Sequence, residues 1–345
     1  MFLLFTTSGV VTNSGSSYIV LETSSLRILN GENIHSQMLV ASTAKILTAI
    51  TAIENYNLEE EVIITKEDVS EVGSKVYLKE QEKVKRMDLI YALMLRSAND
   101  AASALSGHNS DEFIYLMNET AKKIGMKHSV FANASGLDER EYNLSTAYDM
   151  ALLSAYAAKN EVFKEIAGTH TYKCTSDSTN YVWINKHKLV KNDDSFVWGK
   201  TGYTKKSKRI LVSNYVKDSM DVIVVTINRS DDWNYHRLLV NSLKGYTFVS
   251  IYKKGIYDTK LDVSYYLVVK NDIVLPLRDE EYENIRIKFK LFRDKAVLTV
   301  YLKNEFLCSY DIAVYDKDTL DLDMLIELFL SLIHISEPTR HAQIS

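Results

Sequence analysis

The strand and helix patterns of the first 250 residues constrain the fold of this chain most strongly. The segments SYIVLET and LRILNG, within residues 17–31, predict a β-hairpin that turns at Ser24 and Ser25. Three more strand patterns, SFVWGKTGYT, KRILVSNYV and DVIVVTINR, follow one another within residues 195–229. The patterns between these two groups are mostly helical. Strands at both ends with helices between them predict an α+β domain in which one antiparallel sheet carries an inserted helical part.

From about Ile251 the pattern changes to short strands of alternating polarity. The segments DVSYYLVV, NIRIKFKLF, AVLTVYLK and LCSYDIAVY have this pattern. Such a run predicts a small all-β domain. We therefore expect one large domain over residues 17–250 and a β-sandwich-like domain over residues 251–329.

Both ends of the chain are expected to lie outside these domains. Residues 1–16 hold a short apolar run with no basic residue ahead of it, which predicts a lead-in or a truncated signal peptide. Residues 330–345 begin with LSLIHISEPTR, which resembles a translated sequencing adaptor, so we expect an artefact there. No stretch reaches the ~18 apolar residues of a membrane-spanning helix. The net charge of −4 gives no indication of nucleic-acid binding.

Ser42 and Lys45 stand three residues apart in the segment LVASTAKILTAITAIE, whose part from Ala44 onward is apolar on all sides and predicts a helix inside the fold. Residues at this spacing share a face of a helix, so the hydroxyl and the amine can meet. A serine becomes a good nucleophile when a base takes its proton, and a lysine can be that base when burial or a second cation lowers its pKa. A helix start with a lysine reaching for solvent would explain the same pattern. The same Ser-x-x-Lys spacing also occurs a second time in the chain, at residues 250–253.

Two further motifs follow in chain order. A Ser-x-Asn triplet occupies residues 97–99, between two helical patterns, and a Lys-Thr-Gly triplet occupies residues 200–202, inside a strand pattern. Ser-x-x-Lys, Ser-x-Asn and Lys-Thr-Gly in this order are the signature set of penicillin-recognising serine enzymes. The three motifs together therefore favour the catalytic interpretation of Ser42 and Lys45.

Residues 17–245 resemble the D-alanyl-D-alanine carboxypeptidases, the low-molecular-mass penicillin-binding proteins. The blocks ASTAKILTA, LMLRSANDAA, IGMKHSVFANASGLDE, LSTAYDMALL and WGKTGYTKK occur in family order and most resemble Gram-positive members, including those linked to sporulation. The resemblance implies a β-lactamase/transpeptidase-like fold, with a five-stranded antiparallel sheet flanked by helices and an inserted helical subdomain. Residues 251–329 resemble the second domain of the family, which we expect to be a spacer or a partner-binding module.

The resemblance implies roles for the residues of the first two motifs. Ser42 would attack the carbonyl of the terminal D-Ala-D-Ala bond and form an acyl-enzyme, with Lys45 as the base. Ser97 would relay a proton to the leaving D-Ala amine. Asn99 would hold the peptide amide of the substrate.

The third motif is expected to bind the end of the substrate. Lys200 would bear on the terminal carboxylate and keep Lys45 from protonating, and Thr201 would hydrogen-bond the same carboxylate. Gly202 lacks a side chain, so the substrate could lie along the strand edge. The backbone N–H groups of Ser42 and Tyr203 would form the oxyanion hole.

The resemblance also implies the partners and the location. The substrate would be a peptidoglycan stem peptide that ends in D-Ala-D-Ala, and β-lactams would be covalent inhibitors. The family reaction calls for no metal or cofactor. The enzyme would act on the cell-wall side of the bacterial cytoplasmic membrane, with a C-terminal anchor as one means of membrane association.

Two other classes stay open at this point. A β-lactamase would share the fold and the acylation step, but class A enzymes carry Ser-Asp-Asn, where this chain has Ala98 in the middle, and EREYN (residues 139–143) only loosely matches their glutamate motif. The other class is a non-catalytic wall-binding protein on the same fold, which the three intact motifs disfavour.

A basic cluster follows the Lys-Thr-Gly motif. It contains Lys205, Lys206, Lys208 and Arg209. We expect it to be the solvated end of a hairpin; the alternative is contact with an anionic cell-wall polymer.

Overall fold

The computed structural model describes residues 12–139, 141–258, 265–292 and 295–317. The chain forms two compact units that divide between Leu243 and Lys244. Most of the predicted lead-in and all of the predicted artefact at 330–345 lie outside the described residues. None of the helices within these described ranges has the length and apolar character of a membrane span.

The first unit is built on one antiparallel five-stranded sheet. The strands of the whole first unit, in chain order, are β1 (Ser17–Glu22), β2 (Ile28–Glu32), β3 (Met38–Leu39), β4 (Glu61–Ile63), β5 (Lys83–Lys85), β6 (Leu144–Ser145), β7 (Thr171–Thr175), β8 (Asn180–Ile184), β9 (Phe196–Thr204), β10 (Lys208–Lys217) and β11 (Met220–Ile227). The principal sheet has the order β2–β1–β11–β10–β9, so the first hairpin pairs with the last strand and β9 is an edge strand. The predicted sheet is confirmed, whereas the two-stranded sheets β3–β6, β4–β5 and β7–β8 were not predicted.

Helices cover both faces of this sheet. They are α1 (Lys45–Asn55), α2 (Lys66–Ser70), α3 (Arg86–Tyr91), α4 (Asn99–Ser106), α5 (Asp111–Ile124), α6 (Ala147–Ala157), α7 (Glu161–Gly168), α8 (Lys188–Asn192) and α9 (Asp232–Asn241). Helix α6 packs on β1 and β11, and α9 packs on β10 and β11. Both faces of β11 are therefore buried. Ile223 and Val225 belong to the main core, and Val222 and Val224 lie on the other face. Burial of both faces explains the nearly continuous apolar sequence of this strand.

Helix α1 is the central helix of the first unit. It contacts α4, α5, α6 and α7, and every residue from Lys45 to Ala52 is buried. This confirms the prediction from its apolar sequence, because a helix that is apolar on all sides has no face suited to water. Ser42 does not belong to the α-helix itself. It lies on a 3₁₀ turn, Ala41–Ala44, that leads into Lys45.

The second unit is a small β structure with its own core. Its elements are β12 (Thr247–Tyr252), β13 (Gly255–Asp258), β14 (Tyr265–Val269), β15 (Ile273–Leu277), α10 (Asp279–Tyr282), β16 (Ile285–Leu291), β17 (Lys295–Leu302) and β18 (Glu305–Asp316). One sheet has the order β13–β14–β18–β17–β16, and β12 pairs with β15 in another. Leu275 of β15 and Leu298 of β17 share one apolar core, so the two sheets enclose it together. The predicted all-β region is confirmed.

The division between the units falls seven residues before the boundary drawn from the sequence. Strand β12 (Thr247–Tyr252) spans the predicted boundary at 250/251, and it pairs with Ile273–Leu277 in the second unit. The assignment of one part as catalytic and the other as accessory remains a prediction.

Candidate active site

Ser42 and Lys45 meet at the start of the central helix. The Nζ atom of Lys45 lies 3.1 Å from the Oγ atom of Ser42, within hydrogen-bond distance. Ser42 is half-buried, while the side chain of Lys45 has no exposed surface. The spacing of three residues therefore brings hydroxyl and amine together, as the sequence predicted.

Lys45 is surrounded by hydrogen-bond acceptors. Besides Ser42, its amine donates to the Oδ1 atom of Asn99 at 2.7 Å and to the backbone carbonyl of Ser135. The pKa of Lys45 is lowered to about 7, mainly by burial and also by the positive charge of Lys186, against the opposing charges of Glu71 and Asp100. A substantial fraction of this amine is therefore neutral near pH 7, which a general base requires.

The Ser-x-Asn motif lies at a break between two helices. After α3 the chain continues as a π turn, Ala92–Arg96, and Ser97 ends it in the left-handed conformation with φ of 61°. Asn99 then begins α4, and its Nδ2 atom donates to the carbonyl of Val72 at 2.6 Å. A π turn is rare in helices and is frequent at functional sites. Here it turns Ser97 and Asn99 toward the lysines of the other two motifs.

The Lys-Thr-Gly motif lies on the edge strand β9. The Nζ atom of Lys200 donates to the Oγ atom of Ser97 at 2.8 Å and to the carbonyl of Thr201 at 2.9 Å. Burial lowers the pKa of Lys200 well below its ordinary value, and the charges of Lys45 and Lys186 lower it further. Ser97, a catalytic candidate, and Lys200, a substrate-binding candidate from another motif, are thus in direct contact.

Gly202 allows β9 to pack closely on the nucleophile turn. A Cβ atom at this position would lie 3.3 Å from the backbone nitrogen of Ser42 and 3.3 Å from the side chains of Ala41 and Thr43. The next residue, Tyr203, has a side chain that is 64% exposed. The backbones of Ser42 and Gly202 are therefore neighbours, and within the described residues β10 is the only strand that pairs with β9.

The structure adds two features that sequence reasoning missed. The first is the loop containing Ser135 and Gly136, whose Ser135 carbonyl binds Lys45. Gly136 has φ of 80°, and a Cβ atom there would lie 2.0 Å from the carbonyl oxygen of Ala41. The second is Lys186, whose charge lowers the pKa of both Lys45 and Lys200. From the sequence, Lys200 alone was expected to act on Lys45 in this way. The ANASGLDE block was the only sequence signal for the loop, and none pointed to Lys186.

A groove of about 350 Å³ joins these elements. It is lined by Ser42, Ser74, Ser97, Lys186, Lys188, Thr201, Gly202, Tyr203, Arg209, Ile210, Asp232 and Trp233. Members of all three motifs therefore face one open space, although they are up to 160 residues apart in the chain. Such convergence of polar groups in one cleft is the usual form of an active site.

The basic cluster after the Lys-Thr-Gly motif is more ordered than the expected solvated hairpin end. Arg209 forms two hydrogen bonds with the carboxylate of Asp232, at 2.7 and 3.0 Å. Lys206 donates to the carbonyl of Asp138 at 2.6 Å and lies over the ring of Tyr142. These two side chains have structural partners, while Lys205 and Lys208 are exposed. Among the described residues, no group of three or more His, Cys, Asp or Glu side chains could hold a metal ion.

Comparison with known proteins identifies the family. The profile described as D-alanyl-D-alanine carboxypeptidase matches residues 6–231. D-alanyl-D-alanine carboxypeptidase DacF of Bacillus subtilis is 27% identical over 227 residues, which are 63% of this chain and 58% of that relative. DacD of Escherichia coli is 27% identical over 330 residues, 88% of this chain and 82% of that relative.

A solved structure shows the same fold. Penicillin-binding protein 5 of Haemophilus influenzae superposes with a TM-score of 0.71 at 17% identity, covering 90% of this chain and 98% of that one. With the family profile matched over more than half of its residues, the chain belongs to the D-alanyl-D-alanine carboxypeptidase family.

Proposed function

We propose that this protein is a serine-type D-Ala-D-Ala carboxypeptidase. It would remove the terminal D-Ala from peptidoglycan stem pentapeptides through an acyl-enzyme on Ser42, and β-lactams would inhibit it by acylating the same serine. One observation carries the proposal: the amine of Lys45 lies 3.1 Å from the Ser42 hydroxyl and has a pKa of about 7. Family membership supports the reaction class.

The contacts of Lys45 suit a neutral base. A neutral amine has two N–H donors and one lone pair, in contrast to the three donors of an ammonium. The carbonyl of Ser135 and the Oδ1 atom of Asn99 can accept the two N–H groups, which leaves the lone pair facing the Ser42 hydroxyl. Lys45 would take the serine proton as Ser42 Oγ attacks the carbonyl carbon of the penultimate D-Ala.

Ser97 and Lys200 would complete the cleavage. The proton held by Lys45 must reach the nitrogen of the leaving D-Ala, and Ser97 would relay it, with its oxygen held by Lys200 at 2.8 Å. The C–N bond breaks, D-Ala leaves as the amine, and the peptide remains as an ester on Ser42. Thr201 and Lys200 would bind the terminal carboxylate, and Asn99 would hold the peptide amide of the substrate.

The negative charge on the substrate oxygen needs two donors. The N–H groups of Ser42 and Tyr203 are proposed for this role, and the close packing of Gly202 on the Ser42 turn supports it. Each donor of this kind typically contributes roughly 3–4 kcal/mol to lowering the barrier. Water then attacks the ester, the acyl group leaves as the tetrapeptide carboxylate, and the proton returns to Ser42.

The location follows from the substrate. Peptidoglycan stem peptides are outside the cytoplasm, so the enzyme would act on the wall side of the membrane, and a membrane anchor belongs to this proposal. The β unit after Leu243 would serve as a spacer or a partner-binding module.

Product analysis tests the proposal. Incubation with a pentapeptide ending in D-Ala-D-Ala should release one D-Ala per peptide and leave a tetrapeptide. Ser42→Ala should abolish this release and all covalent labelling by a fluorescent penicillin, with a melting temperature close to that of the wild type because the residue is half-buried and small.

The same experiment separates the alternatives. Rapid hydrolysis of penicillin with an intact peptide would indicate a β-lactamase, and no reaction with either would indicate a wall-binding protein. The position of Glu139 speaks against the first of these outcomes. It is exposed and lines a neighbouring cavity with Ser135 and Leu137, whereas it is absent from the lining of the Ser42 groove.

A further inference from the structure

Residues 185–188 form a segment in which buried and exposed side chains alternate. Asn185 and His187 are buried, while Lys186 and Lys188 are exposed. Both lysines line the groove that contains Ser42. The alternation therefore places two ammonium groups in the candidate active site and two anchors in the protein interior.

Asn185 anchors the segment through its whole side chain. Its Nδ2 atom donates to the carbonyls of Ala167 and Thr169 at 3.1 and 3.0 Å, and its Oδ1 atom accepts from the backbone N–H of His187 at 2.9 Å. The backbone N–H of Lys186 donates to the carbonyl of Leu95. The backbone that carries Lys186 is thus bound on both sides.

His187 is a second anchor, held against strand β10. Its Nδ1 atom accepts from the N–H of Val190 at 3.2 Å, which places the ring proton on Nε2, 3.0 Å from the carbonyl of Val212. The ring also stacks edge-on with Trp233, which lines the groove. A residue fixed in this way holds its neighbours in place, so Lys186 and Lys188 lose little backbone freedom when a ligand binds.

The groove has more positive charge than its own residues neutralise. Of the residues that the structure describes, Asp232 is the one carboxylate in its lining, and Arg209 engages both of its oxygens. In the described part of the chain, neither Lys186 nor Lys188 has a carboxylate within 4.0 Å; the Nζ atom of Lys186 lies 3.4 Å from the Ser74 hydroxyl. Two exposed ammonium groups on a rigid backbone therefore remain available to an anion.

We propose that Lys186 and Lys188 select stem peptides that carry a second carboxylate, in the residues ahead of the terminal D-Ala-D-Ala. The inference rests on the proposed carboxypeptidase function and names the substrate class of that site. The terminal carboxylate is common to every substrate and is assigned to Thr201 and Lys200. The lysines of the 185–188 segment would distinguish an acidic peptide from its amidated form.

The electrostatic reach of Lys186 supports this placement. Lys186 lines the same groove as Ser42 and Thr201, so one substrate molecule can span them; in keeping with this, its charge lowers the pKa of both Lys45 and Lys200. A carboxylate bound at Lys186 would therefore belong to the same peptide that Ser42 attacks.

Two matched pentapeptides test the inference. Both end in D-Ala-D-Ala, and the residue before this pair carries a side-chain carboxylate in one peptide and the corresponding primary amide in the other. The measured quantity is the ratio of kcat/KM for D-Ala release, acid over amide. Both peptides use the same Lys45, so any change in its pKa cancels in the ratio. We expect the wild type to prefer the acid by about fivefold, the value of a good exposed ion pair.

Variants assign the preference to the segment. In the double variant Lys186→Gln/Lys188→Gln the ratio should fall close to one, and Lys188→Gln alone should give an intermediate ratio. Lys191→Gln is the matched control, because it removes the same charge from the same short helix outside the groove lining. It should keep the wild-type ratio. Raising the salt from about 0.01 to about 1 M, which shortens the screening distance from about 30 to about 3 Å, should also reduce the wild-type preference.

The outcomes separate this inference from the function on which it rests. D-Ala release from both peptides at equal kcat/KM would overturn the selection and leave the carboxypeptidase function intact. A preference that survives in the double variant would also overturn it. If neither peptide released D-Ala, the proposed function would fail and the inference with it.

Discussion

At the scale of single residues, Lys45 combines full burial with a complete set of hydrogen-bond partners. Burial, together with the charge of Lys186, lowers its pKa to about 7, while Ser42, Asn99 and Ser135 offer three acceptors. The fold therefore holds an amine in a place where its charged form is unfavourable. Function explains why such a costly group remains in the core.

The first prediction concerns stability. Lys45→Met should abolish acylation yet leave the protein at least as stable as the wild type at pH 7, because the loss of a disfavoured charge offsets the unmet acceptors of Asn99 and Ser135. In the wild type the unfolded chain binds the Lys45 proton more tightly than the folded chain between pH 7 and the ordinary pKa of 10.5. As the pH rises across this range, the free energy of unfolding of the wild type should therefore increase relative to that of the variant by about 1 kcal/mol per pH unit.

Denaturant unfolding of both proteins at pH 7, 8.5 and 10 measures this difference. A difference that stays constant across the three values would contradict a lowered pKa for Lys45. Ser42→Ala serves as the control, since it removes acylation and keeps the buried amine.

The second prediction concerns the pH dependence of acylation. Lys186→Ala removes a positive charge that lowers the pKa of Lys45, so this pKa should rise. The neutral base then forms at higher pH, and the rising limb of the acylation rate against pH should move to higher pH. The rate of labelling by a fluorescent penicillin between pH 5 and 10 gives the profile. Lys191→Ala should leave the limb in place, and an unmoved limb in Lys186→Ala would assign the lowered pKa to burial alone.

At the scale of elements, the loop at Ser135 and Gly136 supports the start of α1. The Gly136 backbone, with φ of 80°, passes so close to Ala41 that a side chain has no room. The adjacent carbonyl of Ser135 binds Lys45 and lies 3.4 Å from the Ser42 hydroxyl. The loop thus sets the distance between nucleophile and base from outside the helix.

The third prediction tests this support with a matched pair of glycines. Gly136→Ala should lower the acylation rate by more than about tenfold, because its Cβ atom must displace the Ser42 turn and a misplacement of ~1 Å can cost about a hundredfold. Gly125→Ala is the control: its φ is 94°, but a Cβ atom there meets nothing within 4 Å. Both variants carry the backbone strain of roughly 1 kcal/mol, and only the first should lose acylation. Equal rates in the two variants would show that the loop does not position Ser42.

At the scale of the whole molecule, the two units have separate cores. The catalytic candidates all lie before Leu243, and the strand that crosses the predicted boundary, β12, pairs with β15 of the second unit. A fragment that ends at residue 250 would keep four of the six residues of β12 without their partner strand. An unpaired strand edge promotes association between chains.

The fourth prediction follows from this division. A fragment of residues 12–243 should fold and bind fluorescent penicillin at a rate within about threefold of the full chain, since its core and site are its own. A fragment of residues 12–250 should label equally well and aggregate more readily. Size-exclusion chromatography and labelling kinetics of the two fragments provide the measurement. A folded, monomeric 12–243 fragment that does not label would show that the second unit shapes the site.

The sequence by itself determined the local elements and the motif residues. Apolar periodicity is a short-range property, so the five strands of the main sheet, the buried helix after Ser42 and the separate β region could be predicted. The contact of Ser42 with Lys45 could also be predicted, because it depends on a spacing of three residues along one turn. The motifs at 97–99 and 200–202 were recognisable because their residue types stand in a fixed order.

Only the tertiary structure decided what surrounds these residues. The Ser135 carbonyl reaches Lys45 from 90 residues away, and Ser97 and Lys200 meet across 103 residues. A backbone carbonyl carries no residue type that a sequence pattern could reveal, and an exposed lysine such as Lys186 looks like any other until packing places it in the groove. The electrostatic environment that makes Lys45 a base is a sum over long-range contacts and burial, and both arise when the chain is packed.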